Sequence, residues 1–120
     1  MIPKNLKECY ITLNEKINDI DREFFTNGSY DAEEISTRVH HTLGKWIRNN
    51  WGLWDQSSPL HAYMEDMGLK HPDDMSSVII KGYWHNLNNK EYDMTDDIDR
   101  YDEYWAEMED NKGSGNGLLI

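Results

Sequence analysis

The chain has 120 residues, enough for one domain with a substantial hydrophobic core and too few for two. Its 12 Lys and Arg against 23 Asp and Glu give a formal charge of −11, which opposes binding to nucleic acid or to an anionic membrane and favours a basic partner surface. The single Cys9 excludes an internal disulfide and any multi-cysteine metal site, and no apolar run approaches the roughly 18 residues that span a bilayer, so a soluble cytoplasmic protein is expected.

The first segment places Leu6, Tyr10, Leu13, Ile17, Ile20 and Phe24 at alternating spacings of four and three, the pattern of one side of a helix, with Pro3 just inside its start. Asn18-Asp19 competes locally for backbone hydrogen bonds and leaves open whether that helix is interrupted; Asn27-Gly28-Ser29 then supplies a turn. Asp31 followed by Glu34 has the spacing of an N-terminal capping box, and Glu33 and Glu34 suit the positive end of a helix. The apolar face after it runs through Ile35, Val39, Leu43, Trp46, Ile47 and Asn50 or Trp51, predicting one helix of almost five turns that ends near Asn50 or Trp51, with Gly52 as its C-cap. Gly44 within it weakens the helix unless a close crossing uses the missing side chain.

Ser58-Pro59 reads as a helix restart, with a serine at the cap and a proline at the first helical position. The short helix it opens carries Leu60, Tyr63, Met64 and Met67 on one side and stops at Gly68. Pro72, Asp73 and Asp74 then begin a longer helix. Its stripe of Met75, Val78, Ile79, Gly82, Tyr83 and Asn86 is widened by Ile80, Trp84 and Leu87, as expected of a central helix. A strand at 78–81 competes through its β-branched residues, but the capping signals and the continued periodicity favour helix. The last helix should start after Thr95, with Ile98, Tyr101, Trp105 and Met108 inward.

From Glu91 to Asp110 the chain carries ten acidic residues and one basic one, a local net of −9, so the acidity belongs mainly to one element. Asp99, Asp102 and Glu103 represent its outward face. Residues 113–120 are glycine-rich and read as a flexible tail, whose Leu118, Leu119 and Ile120 would dock only if a groove receives them. The fold class expected is all-α: a single irregular bundle of about five amphipathic helices over residues 1–112, with an acidic final helix from about 95.

Catalytic motifs are weak throughout. His40 and His41 are adjacent and diverge on a helix, no HExxH is present, and no metal or cofactor site is expected. The GSGNG run lacks the lysine and the following helix of a phosphate-binding loop. Ser57 or Ser58 near His61 has suggestive spacing for nucleophilic chemistry, but Ser58 is already explained as a cap, and Ser76 and Ser77 as local hydrogen-bond formers. Adjacent carboxylates such as Asp73-Asp74 and Asp96-Asp97 diverge on a helix rather than converging on a substrate. The most informative polar residue is Arg48, one position off its helix's apolar stripe. Its fork suits either a brace to the aspartates of the HPDD segment or an external anion beside Trp54 and His61.

Two segments carry a resemblance: WIRNNWGLW at residues 46–54 and HPDDMSSVII at residues 71–80, followed by Tyr83, Trp84, His85 and Leu87. Together they resemble a family of small bacterial domains of unknown function with the pattern W-I-R-N-x-W/F-G-L-W and H-P-D-D-M-S-S-x-I-I, covering about residues 34–90 and not obviously reaching the acidic helix. The resemblance implies a bacterial protein and no particular reaction. From the residues themselves two functions compete. The first is an acidic protein-interaction module, inhibitor-like or immunity-like, for a basic partner; the second is an enzyme or binding protein for a small anionic ligand held by Arg48, His61, His71 and Asp74. The oligomeric state is left open.

Overall fold

In the computed structural model, which describes residues 2–118 and side chains through residue 109, seven α-helices and one π turn run in the order α1 (Leu6–Lys16), α2 (Asp19–Thr26), α3 (Ala32–Arg38), π turn (His40–Gly44), α4 (Lys45–Asn50), α5 (Pro59–Asp66), α6 (Pro72–Leu87) and α7 (Thr95–Leu118). The all-helical class is as expected, and the 78–81 segment is helical within α6. Two of the expected helices are divided, which accounts for seven in place of about five.

The first division falls at Ile17, whose extended backbone ends α1, while the Asn18 side chain accepts from the Asp21 N–H and caps α2. The break re-aims the second helix. Ile20, expected inward, lies exposed, and Phe25 rather than Phe24 enters the core. Asp31 caps α3 as its spacing indicates, accepting from the Glu34 N–H at 2.8 Å.

The second division is the π turn. An α-helix repeats every 3.6 residues or so, and a π turn takes up extra residues, so every position beyond it is rotated relative to the continuous stripe. Trp46 therefore turns outward, contrary to expectation, and the buried side passes to Ile47, Arg48 and Trp51. Gly44 is the point of closest approach: an added Cβ would stand 3.0 Å from Arg48 Nη1 and 3.6 Å from Ile80 Cδ1.

α6 is the central helix, packed by α1, α2, α3, the π turn, α4 and α5. Met75, Val78, Ile79, Ile80 and Tyr83 are buried along it, and the cluster they anchor takes in Leu6, Leu13, Phe25, Ile35, Ile47, Leu60 and Met64 from the surrounding elements. At the α1 crossing Gly82 lets Tyr10 pass directly over the helix, the place of an added Cβ being 1.9 Å from the Tyr10 hydroxyl. Pro59 occupies the first turn of α5 as anticipated, but Ser58 makes no side-chain cap bond, its hydroxyl standing 3.5 Å from the Trp51 carbonyl.

All the fully buried apolar residues among those described lie between Leu6 and Tyr83. α7 is laid onto this finished core through half-buried Ile98, Tyr101 and Trp105, while Met108, expected inward, is exposed. The α7 backbone continues to Leu118, into the segment read as a tail. Docking of Leu118, Leu119 and Ile120 lies outside the described residues.

Candidate interaction site at the α6 and α7 junction

The structure gathers four of the residues singled out from the sequence around the start of α6 and leaves one apart. His71 is the N-cap: its Nδ1 accepts from the Asp73 N–H at 3.0 Å, so the imidazole proton sits on Nε2. One His71 face stacks on Trp105 of α7, with centroids 5.1 Å apart and planes at 17°, and Trp54 meets His71 edge-on at 5.8 Å. The Trp105 indole N–H donates to Asp74 Oδ2 at 2.8 Å. Burial pushes the Asp74 carboxyl above its ordinary pKa, with the indole hydrogen bond pulling the other way.

Arg48 is buried beside this group and directed to internal partners. It donates to Ser76 Oγ at 2.8 Å and to the His40 carbonyl at 3.0 Å, and its Nε lies 3.4 Å from Asp73 Oδ1. That is the brace to the HPDD segment anticipated from the sequence, with the π turn's carbonyl as a second anchor. His40 approaches the same carboxylate at 3.9 Å, and its pKa is lowered by burial first and by the Arg48 charge second. His61 belongs to neither set of contacts: it is buried, bonds through Nδ1 to the Leu53 carbonyl at 2.8 Å, and faces Glu65 at 3.3 Å through Nε2. Arg48 and His61 thus direct their polar atoms to internal partners, while His71, Asp74 and Trp54 meet at an aromatic surface.

Sequence reasoning missed the second charged centre, on Lys81. This side chain is only 3% exposed, and its ammonium lies 2.6 Å from Glu33 of α3 and 3.5 Å from Asp97 of α7, donating also to the Tyr101 hydroxyl at 3.1 Å. Burial alone would lower the Lys81 pKa, but the Glu33 and Tyr101 hydrogen bonds outweigh it and the pKa is raised. Asp97 is completed by Arg100, which also faces Glu33 at 3.6 Å, and by the Tyr92 hydroxyl donating at 2.6 Å. Burial would raise Asp97, yet these partners together hold it below the usual carboxylate range. The available signal was a lysine inside the apolar run VIIKGYW, where an unpaired charge is too costly to bury.

This network consumes the inner charges of α7 and the only basic residue of the acidic stretch. Asp96, Asp99, Glu103 and Glu107, at spacings of three and four, remain exposed on the outer face, and Asp102 pairs with Lys70 at 3.8 Å. Among the described residues no group of three or more His, Cys, Asp or Glu is arranged to hold a metal ion, and no helix is long and apolar enough to cross a membrane. Cys9 is buried and its thiol is pushed up to about 12, by desolvation first and Glu8 second, which removes it as a nucleophile near neutral pH.

Residues 2–87 match the family described as Domain of unknown function (DUF6794). The chain belongs to this family. The DUF6794 segment ends at the last residue of α6, so it contains the whole buried apolar core described above, and α7 lies beyond it. It also extends to the N-terminal side of the segment that carried the resemblance, taking in α1 and α2. No curated protein and no solved structure matches the chain.

Proposed function

We propose that the protein is an acidic interaction module that binds a basic protein through the outer face of α7, in the manner of an inhibitor or immunity partner. One observation carries this reading: α7 ties its inner carboxylate to Lys81 and Arg100 and leaves Asp96, Asp99, Glu103 and Glu107 exposed and without ion pairs among the described residues. A helix attached to a core already complete has little structural need of so many uncompensated charges. Like charges along one face repel, and a positive surface relieves that repulsion while being steered toward it. The single buried free thiol fits a reducing setting such as the cytoplasm.

The test compares proteins captured from a lysate of the native cell by the wild-type chain and by the Asp99→Lys/Glu103→Lys double variant. The reading expects basic proteins that elute with moderate salt and are lost on charge reversal. A bound set that is indifferent to both salt and reversal overturns it.

A further inference from the structure

Beside the charges of α7 lies a row of rings that the core does not absorb. Tyr104 meets Trp105 at 5.1 Å, Trp105 stacks on His71 at 5.1 Å, and His71 meets Trp54 at 5.8 Å. The two ends of the row are open to solvent, Trp54 being 57% and Tyr104 54% exposed. Half-exposed Asp73 and Asp102 lie on the same two elements and are held by Arg48 and Lys70, while the exposed Glu103 directly precedes Tyr104 in α7 and has no ion pair among the described residues.

Four other partly exposed rings of this chain each carry a cation. Arg38 covers Tyr30 at 4.2 Å, Lys90 covers Trp84 at 5.0 Å, Lys81 covers Tyr101 at 5.4 Å and Lys16 covers Trp46 at 5.7 Å. Among the described residues Trp54, Tyr104 and Trp105 have no such cation, and Lys70, next to His71 in the chain, is directed to Asp102. An open π face edged by carboxylates is a cation-accepting surface. Arginine fits it better than lysine, since a flat and weakly hydrated guanidinium stacks on a ring and offers its edge to a carboxylate at the same time.

We propose that the row from Trp54 to Tyr104 seats arginine side chains of the basic partner protein. The inference rests on the interaction reading above and names the part of the surface that gives it specificity. A second copy of this chain is the poorer occupant, because its own charge of −11 would meet the same carboxylates. An apolar partner helix would strip water from the exposed Asp99 and Glu103 of α7 without compensating them.

The experiment titrates the full chain with two peptides of equal length and charge, four arginines or four lysines spaced by glycine, at two salt concentrations. Wild type is compared with Trp54→Ala, Tyr104→Ala and Asp99→Lys/Glu103→Lys. Trp54 and Tyr104 are exposed, so their variants should keep the wild-type melting curve, and the two report independently. The arginine peptide is expected to bind wild type several-fold more tightly than the lysine peptide. Each ring deletion should weaken arginine-peptide binding about two- to fivefold and erase the preference. Equal binding of both peptides, lost only on charge reversal, overturns the arginine row while the acidic-face reading stands. No binding of either peptide overturns both. Concentration-dependent self-association in light scattering that Trp54→Ala abolishes assigns the row to a second copy and also overturns the inference.

Discussion

Replacing Lys81 by methionine tests how α7 is held. The substitution keeps most of the side chain's apolar length and removes a cation that is 3% exposed and in contact with Glu33, Asp97 and Tyr101. Deleting one partner of a buried ion pair costs about 3–5 kcal/mol, chiefly because the other charge is left uncompensated. Here the loss is smaller. Glu33 is 57% exposed and regains water, while Asp97, at 15%, keeps Arg100 and Tyr92. The expected loss is therefore about 2–3 kcal/mol, which at a urea slope of roughly 1–3 kcal/mol/M lowers the unfolding midpoint by about 0.7–3 M. Since the buried apolar core lies between Leu6 and Tyr83, the damage should be local at first: hydrogen exchange should show α7 amides losing protection before those of α6. In the Lys81→Met/Asp97→Asn double variant the two losses should fall short of their sum. A loss below about 0.5 kcal/mol, or α6 and α7 opening together, would refute the picture of α7 as a separately docked helix.

The same network predicts a pH range, because Asp97 is depressed and Lys81 raised on folding. The Asp97 contribution is present above its unfolded value near about 4 and is lost as pH falls through the folded value. That of Lys81 is complete below about 10 and is lost as pH rises through its folded value. Docking of α7 should therefore be strongest between these limits.

Two further substitutions check the packing and the electrostatics. Gly82→Ala should destabilise by about 1–2 kcal/mol in thermal or urea unfolding, because the new Cβ would lie 1.9 Å from the Tyr10 hydroxyl and 2.8 Å from its Cζ, outweighing a helix-propensity gain of about 1 kcal/mol; a neutral result would mean that α1 slides freely on α6. Asp74→Asn should raise the melting temperature at pH 7. Burial raises the Asp74 pKa, so the charged form carries a cost above the folded value, while the amide oxygen still accepts from Trp105; the gain should close as pH falls below about 4, and an unchanged or lower melting temperature at pH 7 would count against that cost.

Legibility in the sequence tracks the range of the forces involved. Asp31, Pro59 and Pro72 act within one turn of their own helix, and Gly68 ends α5 with a positive φ of 105°, so these boundaries could be read directly. The central standing of α6 was visible in its apolar circumference, and the start of α7 in Thr95 followed by two aspartates. The phase of the second long segment was not legible. A periodicity read at a constant repeat puts Trp46 inside, whereas the π turn at His40 to Gly44, packed against α6, shifts the phase and brings Arg48 into contact with Ser76 and Asp73.

What the sequence by itself determined is therefore the helical class, most helix starts and stops, and the concentration of negative charge on the last helix, all consequences of neighbours within a turn or of simple composition. Tertiary structure alone decided that Lys81 would be buried against Glu33 and Asp97, that His61 would turn to Leu53, and that Trp54, His71 and Trp105 would form one surface. Those contacts join residues from separate elements, and their energies depend on distance and burial, which no local pattern encodes.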